Sequence, residues 1–265
     1  LSLVGLKSLS EDAEHALAKH SGGLYLGGLK HLSDKTVIAM AEQRDVLCLN
    51  DLAHISEQAA RALATKRNLL ALDGLKAISR KVARALSKLD GNLSLDGLTA
   101  LSEQTARELA KHKQGELFLD GLKSLSVPAA RALSFHNGHL SLNGLKSIPK
   151  AVAAALSGHR GWLRLNGLES LSAPEAKSLA KHKGALFMNG LKALSSRAAK
   201  ALAAHEDWLS LNGLSSPTEQ AMIELAKHKG HLSTMMIKTL TKRTASALAK
   251  RKENDLYLSG LSSLP

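Results

Sequence analysis

The chain of 265 residues is rich in apolar side chains (44%) but poor in aromatic ones (3%), and its 36 Lys and Arg outnumber its 23 Asp and Glu. The formal charge of +13 favours acidic partners, such as nucleic acid or an acidic protein surface. Cys48 is the single cysteine, which excludes an internal disulfide, and no apolar run predicts a signal peptide or a membrane span. Together these features favour a cytoplasmic location.

One motif is written eleven times along the chain, and a twelfth copy begins near the end. The repeats start 23 residues apart, with two steps of 24. A fixed period of this length is typical of a solenoid, in which each repeat buries its apolar face against its neighbours. We therefore predict one solenoid domain over residues 1–265. Since neither end carries a polar cap, we also expect a fragment of a longer protein. The repeats start at Leu1, Leu24, Leu47, Leu70, Leu93, Leu117, Leu140, Leu163, Leu186, Leu209, Leu232 and Leu256.

Each repeat, numbered from its first leucine, has the same predicted elements in the same order. Apolar residues at positions 1 and 3 flank a small or polar residue, which predicts a short strand. Asn or Asp followed by Gly at positions 4 and 5 predicts a tight turn. Ser or Thr at position 10 predicts a helix start, and Ala and Leu at positions 14, 17 and 18 predict its buried face. We expect local distortion near Pro217 and Met235, where the pattern breaks.

The repeated stretch LSLNGLKSI, at Leu140 to Ile148, resembles the leucine-rich repeat, and the resemblance recurs in register along the whole chain. It departs from the usual family pattern in placing Asn or Asp directly before the turn glycine and in having a regular helix. The resemblance implies an α/β fold: a right-handed β-α solenoid of about 11–12 repeats, with a parallel sheet on one face and helices on the other. It also implies a curved scaffold for recognising macromolecules, without catalysis and without a cofactor.

Lysine recurs at position 7, just beyond the predicted strand, and we call these seven side chains the Lys column. They are either a track for a polyanion or a solvated rim, and the sequence favours neither. Basic residues at positions 15 and 19–21 are explained by surface exposure and by the helix dipole. Histidine at position 20 suggests metal binding or a response to pH, but we favour a structural role because no mixed ligand set accompanies it. The Lys column comprises Lys7, Lys30, Lys76, Lys123, Lys146, Lys192 and Lys238.

Six of the seven aromatic residues flank the predicted strands at positions that face away from the core. Trp162, Arg164, Phe187 and Trp208 fall on adjacent strands, where a Trp and Arg cluster is typical of a binding surface. Cross-strand packing for stability is the alternative explanation. The six are Tyr25, Phe118, Trp162, Phe187, Trp208 and Tyr257.

The leading hypothesis is a non-catalytic scaffold that binds a protein partner, acidic in character, through the open face of the sheet. Trp162, Arg164, Phe187 and Trp208 would form its centre, with Tyr25 and Phe118 on the same face. The alternative is sequence-nonspecific binding of nucleic acid or another polyanion by the lysine and histidine ladders. No motif for a catalytic site, a metal or a small-molecule substrate is present in the sequence, so we expect none of these.

Overall fold

The structure, a computed structural model, describes residues 1–42, 45–251 and 255–263. In these ranges the strands are β1 Leu24–Tyr25, β2 Leu47–Cys48, β3 Leu70–Ala71, β4 Leu93–Ser94, β5 Glu116–Phe118, β6 His139–Ser141, β7 Leu163–Arg164, β8 Leu186–Phe187, β9 Leu209–Ser210, β10 Leu232–Ser233 and β11 Leu256–Tyr257. The helices are α1 Glu11–Ala18, α2 Asp34–Ala41, α3 Glu57–Leu63, α4 Arg80–Leu86, α5 Glu103–Leu109, α6 Val127–Leu133, α7 Lys150–Leu156, α8 Ala173–Leu179, α9 Ser196–Leu202, α10 Glu219–Leu225 and α11 Lys242–Ala249.

The strands form one open parallel sheet whose spatial order follows the chain order from β1 to β11. Strands and helices alternate throughout the described ranges, so the predicted α/β fold with a parallel sheet and helices is confirmed. Most strands have two residues instead of the predicted three. In the first repeat, Ser2 forms only an isolated bridge with Tyr25.

The chain divides into two compact units. Unit 1 comprises Leu1–Lys123 and Phe135–Ser141, and unit 2 comprises Ser124–Ser134 and Leu142–Pro265. Unit 1 therefore holds β1 to β6 with α1 to α5, and unit 2 holds α6 to α11 with β7 to β11. The single domain over residues 1–265 stays a prediction.

From β1 to β6, and again from β7 to β11, the first leucine of each repeat pairs with the first leucine of the next. In unit 2, Leu163 lies opposite Leu186, and Leu186 lies opposite Leu209, all with no exposed surface. The helices add buried Ala and Leu side chains, such as Leu179 and Ala198. Strand and helix residues thus form a core that runs from one repeat to the next, as expected when each repeat buries its apolar face against its neighbours.

Serine and threonine at position 10 cap the helices as predicted. Ser56 Oγ accepts a hydrogen bond from Ala59 N–H at 3.0 Å at the start of α3, and Thr218 does the same for Ala221 at 3.1 Å at the start of α10. In α7 the position is Pro149, which has no side-chain cap bond. At α8 the cap is different: Ser172 N–H donates to Glu175 Oε2 at 3.0 Å, and the Ser172 hydroxyl bonds the same carboxylate.

The Asn–Gly turns also join neighbouring repeats. Asn143 Oδ1 accepts a hydrogen bond from Asn166 N–H at 2.8 Å, and Asn166 Oδ1 accepts one from Asn189 N–H at 3.0 Å. A Cβ atom on Gly167 would lie 1.8 Å from the carbonyl oxygen of Asn143. Glycine is therefore required here because the turns of adjacent repeats touch.

The predicted distortion near Met235 is limited. Residues 235 and 236 form the same turn without a glycine, and Met235 N–H still donates to Asn212 Oδ1 at 3.3 Å. The turn of this degenerate repeat therefore stays joined to the preceding one, although the methionine side chain offers no amide oxygen to the turn that follows. Both methionine side chains are exposed.

Candidate functional site

Four aromatic rings gather on the sheet of unit 2 around one arginine, and we call Trp162, Arg164, Phe187, Trp208 and Tyr257 the aromatic cluster. Strand alternation places them: the leucines at positions 1 and 3 of each repeat point into the core, so the residues between and before them point outward. Arg164 therefore lies on the surface of β7, and the rings lie on β8 and β11 and on the residues that precede β7 and β9.

The rings form a continuous series of contacts. The ring centroids of Trp162 and Phe187 are 5.7 Å apart, and those of Phe187 and Trp208 are 6.2 Å apart, both in tilted arrangements. Trp208 stacks on Tyr257 with a centroid separation of 5.8 Å and an interplanar angle of 10°. These separations are in the range that aromatic pairs prefer.

Arg164 lies between two of the rings. Its Cζ is 5.7 Å from the ring centroid of Trp162 and 5.7 Å from that of Phe187. Both distances are within the range of a cation–π interaction. Burial lowers the pKa of the half-buried guanidinium, but arginine remains charged in proteins. The cluster thus offers one fixed positive charge set among apolar rings.

Sequence reasoning did not include His231 or Tyr257 in this site. The His231 ring lies 5.8 Å from the Trp208 ring, and its Nδ1 accepts a hydrogen bond from Asp255 N–H at 3.1 Å. Tyr257 OH donates to Asp255 Oδ2 at 3.1 Å, and this hydrogen bond raises the pKa of the Tyr257 hydroxyl. The sequence could have indicated His231, because it occupies the same repeat position as Trp208, one repeat later.

Tyr25 and Phe118, also predicted for this surface, lie in unit 1 on β1 and β5. Tyr25 is exposed and Phe118 is half-buried. Neither takes part in the ring contacts that define the aromatic cluster.

All seven side chains of the Lys column are exposed. Lys146 Nζ lies 3.2 Å from Glu169 Oε1, which occupies position 7 of the next repeat, so one carboxylate interrupts the basic series. Unit 1 contributes Lys7, Lys30, Lys76 and Lys123, and unit 2 contributes Lys146, Lys192 and Lys238.

The histidines at position 20 are not part of a basic surface. Six of them are 0–2% exposed: His112, His136, His159, His182, His205 and His228. In unit 2 the rings of His159, His182, His205 and His228 stack in series, with successive centroids 5.9, 6.2 and 5.8 Å apart. The proposed histidine contribution to a polyanion track is therefore wrong for these six, because their rings lie in the core.

Burial disfavours the charged form of these histidines. Burial first, and then the charge of the neighbouring histidine, lowers the pKa of His112 and of His228 to about 4. His228 Nε2–H donates to the Asp207 carbonyl at 2.9 Å, and His205 Nε2–H donates to the Gly184 carbonyl at 3.0 Å. The stacked histidines of unit 2 thus join the loops of adjacent repeats.

Comparison with solved structures decides the fold family. A chain in the Drosophila Toll–Spatzle complex is 14% identical and aligns with 92% of this chain and 38% of its own length, with a TM-score of 0.55. A chain in the TLR13–ssRNA13 complex is 16% identical and aligns with 86% of this chain and 36% of its own, with a TM-score of 0.51. The protein has a leucine-rich-repeat fold.

The chain spans less than half the length of either of those two proteins. A leucine-rich-repeat protein of Leptospira interrogans aligns with all of this chain and 85% of its own, at 17% identity, but its TM-score of 0.40 is too low to carry an argument. The sequence matches no protein-family model, and no curated protein matches it either.

The described part of this leucine-rich-repeat fold presents the aromatic cluster and the Lys column on its surface. Its described residues contain no group of three or more His, Cys, Asp or Glu placed to hold a metal ion. None of the helices in the described ranges is long and apolar enough to cross a membrane. The most concentrated chemistry on the sheet is the aromatic cluster, which suits contact with another macromolecule.

Proposed function

We propose that the protein is a non-catalytic recognition scaffold that binds an acidic protein partner through the aromatic cluster of unit 2. One observation carries this proposal: large rings and an arginine meet on the surface, while the core is built of leucine and alanine. Trp, Tyr and Arg are the residues that most often dominate binding energy at protein interfaces.

The exposure of the rings favours binding over a purely structural role. Trp162 is 41% exposed and Tyr257 is 37% exposed, while Phe187 and Trp208 are half-buried. The half-buried rings are held by their neighbours, so little side-chain freedom would be lost on association. The remaining apolar area would be removed from water only when a partner covers it.

The charge on this side of the protein favours an acidic partner. Arg164 supplies a charge inside the cluster, and the Lys column of unit 2 supplies further exposed cations that would speed the encounter with a negative surface. The Toll–Spatzle complex, whose structure contains a chain of the same fold, is an assembly of proteins and is consistent with such a role.

Selected peptides provide a direct test. A phage-displayed library of random peptides is selected on the intact chain, and the affinity of the enriched peptides is measured for Trp162→Ala and Trp208→Ala. Phe135→Ala is the matched control, since Phe135 is 73% exposed and lies outside the cluster. We expect each tryptophan variant to lose more than about 1 kcal/mol, roughly fivefold in Kd. Unchanged affinity for both tryptophan variants would contradict the proposal.

A second candidate is sequence-nonspecific binding of nucleic acid or another polyanion by the Lys column. The exposure of all seven lysines favours it, and the TLR13–ssRNA13 complex, which contains a chain of the same fold, is named for an RNA ligand. The ion pair between Lys146 and Glu169 weakens it, because it places a carboxylate within the series.

Salt dependence tests this second candidate. Binding of a labelled random-sequence DNA duplex is measured between about 50 and 200 mM salt, where each phosphate contact contributes about 0.9 to the slope of log K against log salt. Replacing Lys123, Lys146 and Lys192 with alanine should flatten that slope. The control replaces Lys81, Lys150 and Lys242. An equal slope for both triple variants would exclude the Lys column as the binding site.

A further inference from the structure

We propose that the groove between α8 and α9 in unit 2 binds an acidic amphipathic helix of a protein partner. The groove lies on the helices, whereas the aromatic cluster lies on strands and the residues beside them. It has a volume of about 720 Å³. It is a second interaction surface, separate from the one proposed above.

The rim of the groove is strongly basic. Lys177, Lys181 and Lys183 come from one repeat, and Arg197 and Lys200 come from the next. The stacking of the two repeats brings these five cations around one depression. In the sequence, all of them except Arg197 were explained separately as surface or dipole-compensating residues. Only the packing of α8 against α9 shows that these cations lie together in one groove.

A single carboxylate, Glu206, lines the same groove. Its Oε2 lies 3.2 Å from Lys183 Nζ, and both side chains are largely exposed. An exposed pair of this kind contributes little to stability, and it neutralises only one of the five cations. Four positive charges therefore remain to attract an anionic partner.

The floor of the groove is apolar. It is formed by Ala180, Ala201 and Ala204, together with the stems of the surrounding lysines. Phosphate groups would gain nothing from alanine methyl groups. A helix that lays leucine side chains on this floor and directs glutamates toward the rim would use both features, as in other helix-in-groove complexes.

The charge of such grooves differs along the chain, although basic residues recur at positions 15 and 19–21. The corresponding groove between α1 and α2 in unit 1 is lined by Asp12 and Glu14 as well as His15 and Lys35. The same architecture therefore tolerates acidic residues at this place. The groove between α10 and α11 is also basic, with Lys227, Lys229 and Lys250 in its lining. Basic charge is therefore shared by these two grooves of unit 2 but not by the α1–α2 groove, and it specifies the sign of the partner.

Two peptides distinguish this proposal from general electrostatic attraction. The first is a fluorescein-labelled amphipathic helix of about 18 residues, long enough to be helical when bound, with leucine on one face and glutamate on the other. The second is a glutamate-rich peptide of the same length and charge without the leucine face. Fluorescence anisotropy gives the Kd of each for the intact chain, and we expect the amphipathic peptide to bind about tenfold more tightly.

Charge reversal locates the site. Arg197→Glu combined with Lys200→Glu should weaken the amphipathic peptide about tenfold or more. The control combines Lys81→Glu with Arg131→Glu, which makes the same charge change at the same two repeat positions on α4 and α6, and should change affinity less than about threefold. All four side chains are exposed, and circular dichroism checks that both variants keep the fold.

Several results would overturn the proposal: equal weakening by the two double variants, equal affinity for the two peptides, or tighter binding of duplex DNA or of anionic lipid vesicles than of the amphipathic peptide. The emission of Trp162 and Trp208 separates this site from the aromatic cluster. We expect the amphipathic peptide to leave it unchanged, and a change would place the peptide on the sheet instead.

Discussion

Replacing His228 with leucine should remove part of the protein's sensitivity to acid. The His228 ring is 2% exposed and lies between the His205 ring, 5.8 Å away, and Arg251, whose guanidinium donates to the His228 and Gly230 carbonyls. Burial, and then the charges of His205 and Arg251, lower its pKa to about 4, while the Asp207 carbonyl that accepts from it opposes this. A proton on His228 would therefore enter a buried, already positive environment.

The size of the effect follows from the difference between the folded and unfolded states. With a folded pKa of about 4 and an unfolded value of 6.5, the unfolded chain binds the extra proton between these two pH values. The stabilising contribution is therefore fully present above pH 6.5, declines as the pH falls, and is lost by about pH 4. The loss amounts to about 3 kcal/mol for this one residue.

The variant has a cost of its own at neutral pH. Leucine leaves the Asp207 carbonyl without its 2.9 Å hydrogen bond, which lowers the free energy of unfolding by about 1–2 kcal/mol. Leucine itself fits this environment, because Leu89 fills the same repeat position in unit 1 with no exposed surface. We therefore expect the variant to be less stable than the parent at pH 7.5 and equally stable or more stable near pH 4.5.

Urea denaturation across this pH range measures the difference. Trp162 and Trp208 are the only tryptophans and both lie in unit 2 with His228, so their fluorescence follows the unfolding of this unit. His54→Gln is the control, because His54 is exposed and its replacement removes no buried group. If the free energy of unfolding of His228→Leu fell with pH as steeply as that of the parent, the stacked histidines of unit 2 would not be the acid-sensitive element.

The contacts between the turns of adjacent repeats give further predictions. Gly167→Ala places a Cβ 1.8 Å from the Asn143 carbonyl oxygen, so we expect it to lower the free energy of unfolding by about 2 kcal/mol or more in urea denaturation. Gly158→Ala is the control, since its nearest contact would be an ordinary 3.5 Å; equal destabilisation by both would refute the close approach. Asn189→Ala leaves Asn212 N–H without its 2.9 Å acceptor and should cost about 1–3 kcal/mol, whereas Asn189→Asp should retain most of the stability. Similar losses for both substitutions would contradict that role.

Much of the fold could be predicted because the signals are local and repeated. The hydroxyl of Ser56 caps a helix with a bond to a residue three positions later, and the leucines at positions 1 and 3 define a strand by alternation alone. The turn at positions 4 and 5 was predicted too, but the local pattern explains only part of the reason why glycine is needed there. Gly167 is needed because the neighbouring repeat approaches it, a contact between residues more than twenty positions apart that no local pattern contains.

The orientation of position 20 could not be predicted from its surroundings. Each histidine follows a helix end, three of the six buried ones lie between lysines, and the helix dipole alone explains basic residues there. Leu89 occupies the same repeat position and is buried, so an apolar residue there could have indicated that position 20 faces the core. The aromatic cluster was easier, because strand alternation and a fixed period place Trp162 and Phe187 side by side. The contribution of Tyr257 was missed because its ring reaches Trp208 across two repeats.

The most direct test of the proposed function uses the two tryptophans themselves. Because both belong to the aromatic cluster, their emission reports this surface without a label. The chain is titrated with the tightest peptide selected from the phage library, and binding is followed in parallel by calorimetry. We predict a blue shift of the emission that saturates with the Kd measured by calorimetry, since a partner that covers the rings excludes water from them. Binding detected by calorimetry with no change in tryptophan emission would contradict the account.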